Sequence, residues 1–308
     1  MDKQLTLTTI NSVMMLVIMG IMGYIGGKTD VIDETSSNRI SKLMVNISLP
    51  MMAVKGYFTP FNSESLSEIL WCYLGSFISG ALGIILGKLF LNPKKNKLYA
   101  EELSAGCFPN CGIIGIALAS MIIGSKASLY GASYLTVNSF FMWIYVPLVL
   151  SGKFDKSTVK KILISPVMIA VYAGLIIYFC RIPIPTPVQK AVTSVGDSVA
   201  PLAMLITGSM MARTDLKKIV KNIRLYVVSV FRLIIQPLVF LIFVKLLPFP
   251  EGPGFTCFVC FACPTASAIV VLTETHKGNA PYAASITTMT TIMSIITLPL
   301  MVAVYSMF

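Results

Sequence analysis

Ten apolar runs, each about 20 residues long and joined by short polar connections, constrain this chain more than any other feature. They fall at about residues 5 to 26, 39 to 58, 68 to 91, 100 to 123, 127 to 151, 159 to 180, 188 to 212, 223 to 247, 254 to 274 and 281 to 305. A helix of that length crosses the hydrocarbon core of a bilayer. Inside lipid every backbone donor and acceptor must be satisfied within the protein, and continuous rather than alternating apolar runs do this as helices. The predicted fold class is therefore an all-α membrane protein with ten transmembrane helices. Composition agrees, since only 12% of residues are charged and mean hydropathy is +0.81, against roughly 25% charged in a soluble domain. The first run lacks a short charged leader and a small-residue cleavage site, and reads as a retained span.

The 24 Lys and Arg outnumber the 13 Asp and Glu, giving a net charge of +11. These bases lie in short clusters between apolar runs, without the interleaved exposed aromatics of a nucleic-acid surface, so no nucleic-acid partner is expected. They report topology instead. Alternate loops, from Lys28 to Lys42, Lys88 to Lys97, Lys153 to Lys161, Arg213 to Arg224 and at Lys277, hold 17 bases; the opposite side holds six. Because basic loops stay cytoplasmic, both termini are expected outside the cytoplasmic membrane.

The halves repeat. "NISLP" (Asn46 to Pro50) in span two matches "DSVAP" (Asp197 to Pro201) in span seven, each a polar residue four before a proline. Cys107-Phe108-Pro109-Asn110 in span four matches Ala262-Cys263-Pro264-Thr265 in span nine, and "YGAS" in span five matches "YAAS" in span ten, each seventeen residues before a proline. Five spans per unit is odd, so the second unit enters from the opposite side, as in the inverted repeats of secondary transporters. The expected units are 1–151 and 152–308, with a scaffold and a transport domain each drawing helices from both.

Proline inside a span removes a backbone donor and breaks the helix. Broken backbone at membrane depth is tolerated where protein or a water-filled cavity surrounds it, so Pro109 and Pro264 predict two discontinuous helices crossing near the midplane. The amides that follow, at Asn110, Cys111 and Gly112 and at Thr265, Ala266 and Ser267, open new half-helices whose positive ends suit an anion. Asn110 and Thr265 add side-chain donors. Asp197 is the acid placed deepest, and an intramembrane carboxylate marks an ion pathway or an internal pair. Two readings stand: a coupling site, or a structural pair with Arg232, the deep base of span eight. Asn46, its repeat counterpart, is neutral. Lys55, five residues past Pro50, either attracts a carboxylate at the crossing or snorkels to the interface. Glu274 and His276 are expected to be solvated.

Other chemistry is poorly supported. Cys257, Cys260 and Cys263 imitate part of an iron-sulfur series but lack the fourth cysteine, and seven cysteines inside apolar runs make no disulfide framework. One deep aspartate and one histidine provide neither an aspartyl pair nor a metal cluster. No enzyme activity, cofactor or metal is expected.

Over its whole length the chain resembles the auxin efflux carrier family, which includes plant auxin exporters and bacterial malate or malonate permeases. The resemblance rests on "ISLPMM", "CFPNCGIIGIAL" and above all "PTASAIVVLTETHKGNAPYAASITTMTTIMSIITLPL" from Pro264 to Leu300. It implies a ten-helix inverted-repeat fold related to bile-acid symporters and crossed-helix sodium/proton antiporters. It also implies a substrate carboxylate beside Pro109, Asn110, Pro264 and Thr265, with span two on the scaffold side. The long cytoplasmic loop of some plant members is absent, since only about Ser151 to Lys161 joins the halves. The expected function is secondary transport of a small organic anion by elevator-type alternating access. The alternatives are a sodium- or proton-coupled symporter of larger amphipathic acids and a cation/proton antiporter. Expected partners are a small carboxylate, the bilayer, a proton or sodium ion if transport is coupled, and a second copy if the carrier dimerises.

Overall fold

The structure, a computed structural model, describes residues 3–58, 63–91, 97–124, 126–152, 163–213, 219 and 221–308. The expected link between the halves, about 151 to 161, lies mostly outside these residues. Among the described residues every regular element is helical. Five stretches are individually long and apolar enough to cross a membrane: Leu66–Phe90, Lys126–Ser151, Thr186–Arg213, Ile223–Leu246 and Ala280–Tyr305. Shorter apolar helices occupy Val17–Lys28, Cys111–Ile123 and Pro166–Phe179.

In chain order, α1 is Lys3–Lys28, followed by α2 (Glu34–Leu43), a π-helical turn at Met44–Ser48, and α3 (Leu49–Lys55). Asp33 caps α2 by accepting from the Ser36 amide at 2.7 Å, and hydrogen bonds from the Ser36 side chain first and its amide second hold the Asp33 carboxyl below the usual carboxylate range. The long helix α4 (Ser63–Phe90) precedes α5 (Tyr99–Cys107), a π-helical turn at Cys111–Gly115, α6 (Ile116–Ile123) and α7 (Lys126–Ser151). The second half holds α8 (Pro166–Phe179), α9 (Thr186–Asp197), α10 (Val199–Arg213), α11 (Ile223–Val230), a π-helical turn at Phe231–Ile235 and α12 (Gln236–Leu246). It ends with α13 (Glu251–Ala262), α14 (Ala268–Thr275) and α15 (Ala280–Tyr305).

The closest helix pairing joins the two halves. Along α1, Gly20, Gly23 and Gly27 face α10, where Gly208 lies so near that an added Cβ would stand 2.0 Å from the Gly20 carbonyl oxygen. A Cβ on Gly23 would meet the Leu205 carbonyl oxygen at 2.2 Å. Helices in lipid gain little from hiding apolar surface from one another, so close backbone approach through small residues supplies the attraction. Elsewhere α4 packs on α7, and α3 packs on α8 and α9.

The proline-marked positions fall where helices change character. In span two, Asn46 sits within the π-helical turn and Pro50 follows at the start of α3. In span seven, α9 stops at Asp197 and α10 begins two residues later. These repeat-related irregularities face each other: the Ser48 and Ser198 hydroxyls are 2.9 Å apart, and an added Cβ on Gly196 would stand 2.9 Å from the Met52 backbone.

Candidate functional site

Two helices stop at matching prolines. Helix α5 ends at Cys107, Phe108 is extended, and helical structure resumes at Cys111; α13 ends at Ala262, Cys263 is extended, and α14 starts at Ala268. The extended pieces pair antiparallel through Pro109 and Thr265. The Asn110 amide donates to the Pro264 carbonyl at 2.7 Å, and the Ala266 amide donates to the Phe108 carbonyl at 3.0 Å. Each break thereby satisfies backbone groups freed by the other, which is how irregular backbone survives away from water.

This joint uses donors that the sequence assigned to a ligand. Of six amides expected to face a substrate, Asn110 and Ala266 bond across the joint, and Thr265 donates to the Thr290 hydroxyl oxygen at 3.2 Å. The Thr265 hydroxyl is also engaged: wholly buried, it donates to the Ala105 carbonyl at 2.8 Å. Pro109, Cys111, Gly112, Pro264 and Ala266 are buried, whereas Asn110 and Ser267 are half-buried. The Asn110 carboxamide has no protein partner among the described residues. Cys111 and Gly112 open the second half-helix, where amides by position lack a partner within the helix. Leu49 of α3 borders this end, 3.6 Å from where a Gly112 side chain would begin.

Arg232 is drawn into the same place. Its side chain is fully buried beneath the breaks. Nε donates to the Cys263 carbonyl at 3.2 Å and Nη1 to the carbonyls of Cys107 and Gly106 at 3.4 and 3.5 Å, while Nη2 donates to the Phe261 carbonyl. Nη1 also donates to Gln236 Oε1, and the guanidinium lies 4.7 Å from the Phe261 ring centroid. The π-helical turn that carries Arg232 widens the helix at this point, a distortion common at functional positions.

The pairing of Asp197 with Arg232 is therefore corrected. Asp197 accepts a hydrogen bond from Lys55 Nζ, in an ion pair where the aspartate side chain is 58% exposed and the lysine 15%. Lys55 is occupied by this carboxylate and does not reach the paired breaks by any contact among the described residues. Asn46 donates to the Lys42 carbonyl of its own helix at 2.7 Å and is exposed. Glu274 is exposed, and half-buried His276 lies 2.8 Å through Nδ1 from the Leu272 carbonyl.

Two buried acids were missed at the sequence level because they sit at the edge of span four. Glu102 is fully buried and accepts from Arg224 through both carboxylate oxygens, with Nε at 3.0 Å, and from the Tyr282 hydroxyl at 2.8 Å. Glu101 accepts from the Asn279 amide at 2.8 Å. This cluster ties the starts of α5, α11 and α15 together. The available signal was the Glu-Glu pair directly before an apolar run, with arginine opening another.

A cavity of about 210 Å³ adjoins the break of span four. Its wall includes Ile114, one turn past Asn110, with Gly20 and Tyr24 of α1, Thr207 of α10 and Thr291 and Ser294 of α15. The surface is mostly apolar with a few hydroxyls, and the adjacent Thr290 contacts the joint itself. No group of three or more metal-ligating side chains occurs among the described residues.

A family model described as "Membrane transport protein" matches the chain twice, over residues 8–159 and 150–302. Together the matches cover nearly the whole sequence and overlap over residues 150–159. No curated protein matches the chain significantly.

Proposed function

The chain belongs to the membrane transport protein family, which includes auxin efflux carriers, and from that premise we propose that it is a secondary carrier of a small organic anion. The substrate class is a carboxylate such as malate, malonate or an auxin-like acid. One observation carries the preference for an anion: a buried guanidinium sits at the paired breaks with no carboxylate partner among the described residues. Each helix end bears about half a unit of charge, positive at the amino end and negative at the carboxyl end. The four ends at the breaks cancel to a first approximation, and Arg232 leaves an excess of about one positive charge. A cation/proton antiporter would need acids there.

In this reading the substrate carboxylate lies against the amino ends led by Cys111 and Ser267, with the free Asn110 carboxamide as a hydrogen-bond donor. The body of the substrate extends into the adjoining cavity. The apolar wall of that cavity gives some support to the second reading, a symporter of larger amphipathic acids. We further propose ten spans arranged as two inverted five-span units, with α1, α2, α3, α8, α9 and α10 as a scaffold. The bundle containing both breaks would move against it as an elevator. The double family match and the tight α1–α10 seam support this division, and the lysine distribution supports a cytoplasmic membrane with both termini outside.

The test is uptake of labelled mono- and dicarboxylates into proteoliposomes containing the purified chain. Saturable uptake of at least one carboxylate, weakened by Asn110→Ala, is expected. Uptake of organic cations but no carboxylate would overturn the reading.

A further inference from the structure

Arg232 lacks a carboxylate partner among the described residues, but it does not lack oxygen. Its three guanidinium nitrogens meet five oxygen atoms: the carbonyls of Gly106, Cys107, Phe261 and Cys263 and the side-chain oxygen of Gln236. Four of these are carbonyls at the ends of α5 and α13, left without helical partners because both helices stop before a proline. Two helix carboxyl ends at about half a negative charge each amount to about one unit, which a single monovalent cation balances.

A shell made of carbonyl and amide oxygens at the ends of broken helices is the environment in which discontinuous membrane helices hold sodium. We propose that Arg232 is a built-in replacement for such an ion: its guanidinium fills a monovalent-cation site formed by the two breaks. The side chain is placed for this role by its π-helical turn, by Gln236 one turn later, and by the Phe261 ring beneath it. A covalently tethered charge cannot dissociate, so the breaks stay joined in every state of the protein without ion binding. For the carrier proposed above, and resting on that reading, it follows that transport requires no metal cation at the breaks.

Removing the tether should recreate the ion site. Arg232→Ala leaves the backbone oxygens in place with a vacated volume among them, whereas Arg232→Lys keeps a cation. Both variants are prepared with sodium present throughout, then melted in detergent with sodium chloride or with choline chloride at equal ionic strength. Choline is too large for the vacated space and controls for general salt effects. For Arg232→Ala the expected result is a melting temperature that rises with the logarithm of sodium concentration, as native-state binding requires, and does not rise with choline. Wild type and Arg232→Lys should not distinguish the two salts. The proposal is overturned if Arg232→Ala melts identically in both, if it cannot be recovered in sodium while Arg232→Lys can, if neither variant folds, or if Arg232→Lys shows the same sodium requirement. These readouts involve no substrate, so they can fail while carboxylate uptake succeeds, and the reverse. In proteoliposomes, uptake by wild type should be equal in sodium and choline, with sodium dependence appearing in Arg232→Ala.

Discussion

Replacing Asp197 with asparagine discriminates between the partner expected from sequence and the one found in the structure. A carboxylate paired with fully buried Arg232 would leave a buried charge uncompensated when neutralised, at a cost of about 3 to 5 kcal/mol. The observed partner is Lys55, and the aspartate side chain is 58% exposed. Such a pair is screened by its surroundings and is worth about 0.2 to 1 kcal/mol. Asp197→Asn should thus lower stability by less than about 1 kcal/mol, roughly a fivefold change in the folded-to-unfolded ratio. The assay is reversible denaturation in detergent of Asp197→Asn, Lys55→Met and the double variant. The double-mutant cycle should return a coupling energy of about 0.2 to 1 kcal/mol. A parallel cycle with Arg232→Lys should return none. Because Lys55 already compensates the charge, uptake by Asp197→Asn should respond to proton and sodium gradients as wild type does. A loss of 3 kcal/mol or more, or coupling to Arg232 instead of Lys55, would refute the assignment; an abolished gradient response would restore Asp197 as a coupling site.

Asn110→Ala should raise the apparent Michaelis constant for the carboxylate by about ten- to a hundredfold, the loss of one hydrogen bond to a charged group at about 1.5 to 3 kcal/mol; unchanged uptake kinetics would remove Asn110 from the site. Glu102→Gln strands the Arg224 guanidinium and should cost about 3 kcal/mol, the lower end for a broken buried pair because Arg224 remains 34% exposed, measured by thermal denaturation. Gly208→Ala forces a methyl group against the Gly20 carbonyl and the Tyr24 amide, and should destabilise the α1–α10 seam by about 3 kcal/mol or more; a neutral result would contradict the packing. Cys180 is the exposed cysteine and the other six are buried, so a membrane-impermeant maleimide should label intact cells at Cys180 alone, and labelling only after permeabilisation would invert the assigned topology.

The elements legible in the sequence are those whose cause is local. Pro109 and Pro264 remove donors from their own helices, so the breaks could be located from residue type and from recurrence at one offset. Most partners of Arg232 were not legible because four of the five are backbone carbonyls, which carry no signature in the sequence. Lys55 and Asp197 were each singled out, yet their pairing depends on the crossing of α3 and α9, made close by Gly196. Glu102 was not singled out, because hydropathy windows treat the edge of a span as the edge of the protein. Thr265 follows the proline of its break, but its hydroxyl donates to the Ala105 carbonyl across the joint, a distribution of donors set by the meeting of two distant segments.

The joint between the breaks also shapes how mutations are tolerated. Both hydrogen bonds of the Pro109–Thr265 bridge run from main-chain amide to main-chain carbonyl, so the side chains of Asn110 and Ala266 take no part in them. At Asn110 and Ala266, proline directly deletes a donor, whereas other substitutions act through volume and charge. In a saturation library scored for correctly folded protein, proline should be the outlying loss at these two positions. If the same library is scored for transport, Asn110 should become intolerant of many replacements while Ala266 remains governed by size. The contrast between those two profiles would separate the part of the break that joins the repeats from the part that meets a solute.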